Sequence, residues 1–156
     1  MKDAVDKFSI ENRADDEIKR AVDCVIAHDY KKAVNHIQKS LKLLKSIGCT
    51  EKYVEYLSIL GLIYEYGDDE TAAFDCYLES LATAEVIRSK DLKAMVYSNI
   101  GSSYSKMGKN TEASRYFEDA QYEYGSSTEK SEECHKMWTM FNYVNTAIND
   151  NYVAFV

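Results

Sequence analysis

Residues 57–64, with the sequence LSILGLIY, are followed by a matching segment at residues 97–104, with the sequence YSNIGSSY. Each segment has glycine at its fifth position and tyrosine at its eighth, namely Gly61 with Tyr64 and Gly101 with Tyr104. Two helices can approach closely where a glycine lies among apolar residues. The tyrosine lies on the same face one turn later. The two segments therefore predict helices that each pack tightly against a neighbour.

A second pattern recurs along the chain at the interval that separates Gly61 from Gly101. Alanine is followed after four residues by a large apolar residue and, three residues further, by a small one. These sets are Ala33, Ile37 and Ser40; Ala73, Tyr77 and Ser80; and Ala113, Phe117 and Ala120. Spacings of three and four align side chains in one stripe of a helix. The pattern predicts the second helix of each of three units.

Turns are predicted between the paired helices, at residues 67–69 (GDD) and 107–110 (MGKN). Glycine takes positive φ without strain, and Asp or Asn caps a following helix, so each segment contains a helix stop and a helix start. The resulting helices lie near residues 12–28, 30–46, 51–66, 70–88, 91–107, 110–124 and 131–148.

The arrangement resembles the tetratricopeptide-repeat (TPR) family, whose units carry Leu-Gly, then Tyr, then Ala, an aromatic residue and a second Ala. The second and third units fit this pattern. The first has Ala21 in place of the glycine and Cys24 in place of the tyrosine. The family's closing proline is absent, and the period of about 40 residues exceeds the usual value of about 34 residues. A longer second helix accounts for both departures, as in long-repeat members such as bacterial peptide-sensing regulators.

The resemblance implies an all-α fold, a right-handed superhelical stack of TPR helix hairpins in a single domain over residues 1–156. Three repeats would span about residues 14–50, 51–90 and 91–130, followed by a capping helix at about residues 131–149. The sequence ends on an apolar segment, YVAFV at residues 152–156. We therefore expect the chain to be the N-terminal segment of a longer protein.

Charge and composition limit the classes of partner. The net charge is −7 and the isoelectric point is about 5.0, which disfavours nucleic acid and anionic membrane surfaces. The lysines between residues 31 and 45 recur at helical spacing, so we interpret them as a solvated helix face. The sequence has no secretion signal or membrane-spanning run, and its four cysteines lack zinc-site spacing. These features predict a cytoplasmic protein with reduced cysteines.

By resemblance to the family, a partner protein or extended peptide would bind in the concave groove lined by the first helix of each repeat. The positions that would contact it are Glu55, Ser58, Leu62 and Glu65; Met95, Ser98, Asn99, Ser102 and Ser105; and, in the capping helix, His135, Trp138, Asn142 and Asn145. Asn99 is placed where family members hold a peptide backbone, because an amide both donates and accepts. A basic clamp for a C-terminal carboxylate is missing from the second and third repeats.

Structural interpretations stand beside these binding roles. Trp138 packs within the cap in one interpretation, and Asn99 hydrogen-bonds locally in another. We identify no catalytic, cofactor-binding or metal-binding residues. Cys24 and His28 share a helix face but are only two ligands, and the acidic turn at residues 67–70 lacks the ligand pattern of a calcium loop.

Three hypotheses of function follow. The first is a protein- or peptide-binding TPR module that regulates or scaffolds a larger bacterial signalling protein, for example one with a diguanylate cyclase output domain. The second is a freestanding peptide-binding adaptor or peptide-sensing regulator. The third is a self-associating scaffold, such as a homodimer. An enzyme is not expected, because no acid, base and nucleophile share a site.

Overall fold

The computed structural model of the protein describes residues 2–48 and 50–125. Over these residues the chain forms six α-helices: α1 (Lys2–Ile26), α2 (Tyr30–Ile47), α3 (Thr50–Tyr66), α4 (Glu70–Val86), α5 (Lys90–Lys106) and α6 (Asn110–Gly125). They pack as three hairpins, α1 with α2, α3 with α4 and α5 with α6, and each hairpin packs on the next. The fold is an all-α stack of helix hairpins, as the sequence predicts.

The predicted boundaries of α2 to α6 lie within two residues of those observed, but the predicted start of α1 is wrong. That helix begins at Lys2, ten residues before the predicted position. Residues 4–9 are exposed, and the apolar pair Val5 and Phe8 is not continued at residues 11 and 12, so this part of the helix lacks the sustained apolar periodicity from which helices are predicted. The predicted helix at residues 131–148 lies outside the described residues.

Backbone conformation repeats with the same period as the sequence. Within the hairpins, the turn residue with positive φ is His28 (58°), Asp68 (60°) and Gly108 (73°). Between the hairpins it is Gly48 (67°) and Arg88 (57°). Equivalent turns are therefore separated by the interval between the two signature glycines, and the chain enters a left-handed conformation at the same point of each unit.

The predicted roles of capping residues and glycines in the turns are confirmed in part. Asp69 caps α4, since its Oδ1 accepts a hydrogen bond from Ala72 N at 3.0 Å. In the same turn the residue with positive φ is Asp68 and not Gly67, because a short polar side chain tolerates this conformation. Asn110 does not precede α6 as a cap but is its first residue.

A buried serine fixes the two helices of a hairpin in the same way twice. Ser40 Oγ donates to the carbonyl oxygen of Ala14 at 2.8 Å, and Ser80 Oγ donates to that of Val54 at 3.3 Å. The two donors occupy equivalent positions of successive repeats, and so do the two acceptors. Since a hydroxyl must lie within hydrogen-bond distance of one carbonyl, the bond sets the axial register of the hairpin.

Among the described residues the core consists of two apolar clusters, one formed mainly by α1, α2 and α3 and the other by α3, α4 and α5. The signature glycines lie where the helices of a hairpin approach most closely, Gly61 against Tyr77 and Gly101 against Phe117. The close approach predicted from the sequence is confirmed. None of the helices in the described ranges has both the length and the apolar character needed to cross a membrane.

Candidate binding surface

The predicted binding positions on α3 are mostly enclosed by the fold. Glu55, Ser58 and Leu62 are each at most 5% exposed. Ser58 faces α4, because its Oγ lies 3.3 Å from Ser80 Oγ; it also lies 3.0 Å from Val54 O, one turn earlier on its own helix. On this helix the accessible part of the predicted surface is thus confined to its C-terminal end, around Glu65.

Glu65 joins three helices. Its Oε1 accepts a hydrogen bond from Tyr77 OH of α4 at 3.1 Å, and its Oε2 lies 3.1 Å from Lys106 Nζ of α5. Burial and the neighbouring Glu65 carboxylate raise the pKa of Tyr77 well above its usual value, so this hydroxyl stays protonated and donates. Lys106 also lies 4.8 Å from the ring centroid of Tyr66. A ligand reaching Glu65 would have to share these partners.

The predicted positions on α5 form a more open surface. Ser102 and Ser105 are exposed and Ser98 is half-buried. Their spacings of four and three residues place the three hydroxyls on one side of the helix. Met95 belongs to the same side but is buried in the second apolar cluster. The described part of the predicted surface is therefore a short row of serine hydroxyls beside Asn99.

Asn99 combines burial with an unused donor. The residue is 6% exposed, and its Nδ2 has no hydrogen-bond partner among the described residues. The equivalent position in the preceding repeat holds Ile59, which is 1% exposed. A buried amide that lacks a partner loses its hydrogen bonds to water without compensation. Ile59 shows that the fold accepts a fully apolar side chain at the equivalent position of another repeat, where no such loss occurs.

The remaining predicted binding residues are His135, Trp138, Asn142 and Asn145. They lie outside the described residues, and their binding role stays a prediction, as does that of the positions on α3 and α5.

Sequence reasoning missed a polar cluster between α1 and α3. Lys52 Nζ lies 2.9 Å from Asp15 Oδ2 and 2.7 Å from Glu11 Oε1, and Tyr56 OH donates to Asp15 Oδ1 at 2.7 Å. Burial opposes the charge on Lys52, but the hydrogen bonds to both carboxylates raise its pKa overall. The sequence contains a signal for this cluster. The acidic residues Glu11 and Asp15 of α1 are four residues apart, and so are the donors Lys52 and Tyr56 of α3, so each pair lies on one face of its helix.

A second missed feature is an open groove of about 540 Å³ between α2 and α4, hereafter the α2–α4 groove. It is lined by Gln38, Leu41 and Lys42 of α2, by Tyr53, Leu57, Leu60 and Tyr64 of α3, and by Ala72, Asp75, Cys76 and Glu79 of α4. At 3.6 residues per turn, the four lining positions of α3 lie on the face opposite the predicted binding positions at 55, 58, 62 and 65. The protein therefore has two distinct candidate surfaces.

The groove has one polar end and a protected thiol. Tyr53 OH donates to Glu79 Oε1 at 2.7 Å, and burial together with this carboxylate raises the pKa of Tyr53 to about 12. Burial raises the pKa of the Cys76 thiol to about 12. Both groups are neutral near pH 7. Among the described residues, no three His, Cys, Asp or Glu side chains are grouped to hold a metal ion.

No protein-family model matches the chain, and no curated protein does. Its own residues and their geometry are therefore the basis of the function proposed for it.

Proposed function

We propose that this chain is a TPR module that binds an extended peptide or protein segment beside α5, and that this binding regulates or scaffolds a larger cytoplasmic signalling protein. The observation that supports this proposal most is the buried amide of Asn99, whose Nδ2 has no hydrogen-bond partner within residues 2–48 and 50–125. A peptide carbonyl is the partner this donor lacks, and the amide oxygen is able to accept from a peptide N–H in return.

The comparison with the preceding repeat strengthens the role of Asn99. Ile59 fills the same position there without any polar atom to satisfy. An unsatisfied buried polar group costs about 1–3 kcal/mol, so Asn99 is a poor choice for stability alone. A ligand hydrogen bond would offset that cost. The neighbouring hydroxyls of Ser98, Ser102 and Ser105 would supply further uncharged contacts along the same side of α5.

Selection of short random peptides displayed on phage, with the immobilised chain as bait, tests the proposal. Peptides bound beside α5 are expected to lose about fivefold or more of their affinity for Asn99→Ala, because about 1 kcal/mol or more is lost with the hydrogen bonds. Asn35→Ala is the matched control, since Asn35 is exposed on α2. Selected peptides that bind Asn99→Ala as tightly as the native chain would remove Asn99 from the binding surface.

The regulatory part of the proposal has its own test. An antibody raised against this chain is used to measure the mass of the native protein in its own cells by immunoblot. A band well above 17.9 kDa is the result expected for a module within a larger signalling protein. A band at 17.9 kDa contradicts it and favours the freestanding adaptor, which would use the same surface.

A further inference from the structure

The repeat itself indicates which chemical group the α2–α4 groove fits. One repeat later, between α4, α5 and α6, the corresponding region is occupied by aromatic rings. Tyr116 stacks on Tyr104, with ring centroids 5.4 Å apart and planes inclined by 14°. Phe74 lies 5.1 Å from Tyr104, and Tyr97 lies 6.2 Å from Tyr116, again between ring centroids. The chain's own side chains thus form an aromatic cluster there.

Two of these four rings are replaced by smaller side chains that line the α2–α4 groove. Phe74, Tyr97, Tyr104 and Tyr116 correspond, one repeat earlier, to Val34, Leu57, Tyr64 and Cys76. Only Tyr64 keeps its ring, which is half-buried and borders the groove. Cys76 lines the groove at the position equivalent to Tyr116 and has the smaller side chain there. The groove is therefore shaped like an aromatic cluster from which one stacking ring has been omitted.

The walls of the groove carry opposite charges. Lys42 lies on the α2 wall, and Asp75 and Glu79 lie on the α4 wall. The difference extends along both helices, because α2 contains no acidic residue and α4 contains no basic one. An occupant of the groove meets two carboxylates on one side. Charge complementarity therefore favours an aromatic residue with a basic neighbour.

We propose that the α2–α4 groove binds an aromatic side chain of a partner polypeptide, stacked on Tyr64 over Cys76, with an adjacent Lys or Arg paired to Asp75 or Glu79. Offset stacking of two rings is favourable beyond the apolar area it buries. The groove faces away from the predicted binding positions on α3, so this proposal does not depend on the function proposed above.

The test is a titration of the isotope-labelled chain followed by NMR. The probe is the peptide Ac-Gly-Lys-Tyr-Lys-Gly-amide. It is expected to bind saturably with a dissociation constant in the millimolar range and to shift the amide signals around Tyr64, Leu57 and Cys76. Ac-Gly-Lys-Leu-Lys-Gly-amide has the same charge without the ring, and it is expected to bind about tenfold more weakly. Ac-Gly-Glu-Tyr-Glu-Gly-amide keeps the ring with reversed charge and is also expected to bind more weakly.

Two variants test the groove from the protein side. Cys76→Tyr supplies the missing ring from within, as Tyr116 does one repeat later, and is expected to abolish binding of the tyrosine peptide. Leu78→Tyr is the matched control, because it adds the same ring at an exposed position on a different face of α4 from the groove and should leave binding unchanged. If Cys76→Tyr does not fold, Tyr64→Leu removes the stacking partner instead, with the same loss of binding expected.

Three results would overturn the proposal. The first is equal binding of the leucine and tyrosine peptides, which would make the ring irrelevant. The second is the absence of saturable shifts around Tyr64 with the tyrosine peptide. The third is binding of p-cresol as tight as that of the peptide, which would identify the occupant as a free aromatic molecule and not a polypeptide.

Discussion

The ring of Tyr77 lies so close to the backbone of Gly61 that no side chain fits between them. A Cβ atom added to Gly61 would lie 2.7 Å from Tyr77 Cε1 and 3.1 Å from the carbonyl oxygen of Ala73. Carbon atoms attract one another at about 3.5–4.0 Å and repel at shorter distances. Tyr77 is 1% exposed, so its ring cannot move away without displacing other core residues. The glycine is thus required by the packing of the hairpin.

Gly61→Ala is therefore expected to destabilise the protein. Alanine favours a helix over glycine by about 1 kcal/mol, but overpacking a rigid core costs about 1–3 kcal/mol, and here the obstacle is the middle of a buried ring. We expect the free energy of unfolding to fall by about 1 kcal/mol, measured by urea denaturation.

Two further glycines serve as controls for this measurement. Gly125→Ala should leave the stability unchanged or raise it, because a Cβ there meets no atom of the described residues within 4 Å. Gly101→Ala should cost less than Gly61→Ala. Its Cβ would lie 2.9 Å from Phe117 Cε1, but Phe117 is 40% exposed and can rotate outward. Equal stability of the Gly61 and Gly125 variants would contradict the packing argument.

Asn99→Ile is expected to increase stability while it removes peptide binding. Ile59 shows that the fold accepts isoleucine at this position, and the exchange removes a buried polar group that has no partner in the part of the chain that the structure describes. We expect the free energy of unfolding to rise by about 1 kcal/mol. The measurement is urea denaturation together with the binding of phage-selected peptides. A loss of stability would indicate instead that the amide is satisfied within the fold.

Stability in acid is expected to depend on Glu17. Its Oε2 lies 2.6 Å from His36 Nδ1, and this hydrogen bond, with the charges of His36 and Arg20, lowers the pKa of Glu17 below its usual value of 4.5. A lowered pKa stabilises the fold above pH 4.5, and this contribution is lost as the pH falls through the folded-state pKa. Glu17→Gln should therefore lose less stability than the native chain below pH 4.5.

The control for this prediction is Asp6→Asn, which neutralises an exposed carboxylate on the same helix. Thermal unfolding of all three proteins, from neutral pH into the acidic range below the usual pKa of Glu17, provides the comparison. The Asp6 variant should follow the native chain. Native and Glu17→Gln curves that run parallel through the acidic range would show that the contact with His36 does not contribute.

The Cys76 thiol is expected to be unreactive in the folded protein. With a pKa of about 12, the thiol has a negligible thiolate fraction at pH 8, and the thiolate is the reactive species. Alkylation by iodoacetamide should be on the order of a hundredfold slower in the folded chain than in urea. The measurement is mass spectrometry of the peptide that contains Cys76. Equal rates in both states would show that the buried environment does not persist in solution.

The sequence predicts most of the fold because each helix from α2 to α6 has its own local pattern. Gly61 and Gly101 each allow a close approach of two helices, and the regular period of the repeat identifies the residues that face them, Tyr77 and Phe117. The start of α1 was missed because its first turns are exposed and carry no apolar stripe. Local patterns identify helices only where one face is buried.

The two candidate surfaces differ in how far they are predictable. Asn99 was identified from its place beside a signature glycine, although its burial and unpaired Nδ2 emerge only from the packing. The α2–α4 groove was not predicted, because it depends on side chains of three helices together. The sequence does show that Cys76 stands where the next repeat has Tyr116. That difference indicates a groove only once the structure places Tyr64 beside Cys76 and Tyr104 beside Tyr116.

The serine hydrogen bonds inside the hairpins also determine how the stack deforms under load. The two hairpins that contain these bonds resist deformation, since sliding one helix along the other would break the hydrogen bond donated by Ser40 or Ser80. Successive hairpins are joined by the two apolar clusters, and also by ionic contacts such as Lys52 with Asp15 and Lys106 with Glu65. Salt weakens such contacts where they are exposed to solvent. We therefore expect the stack to bend mainly between hairpins, and its resistance to bending to fall as ionic strength rises.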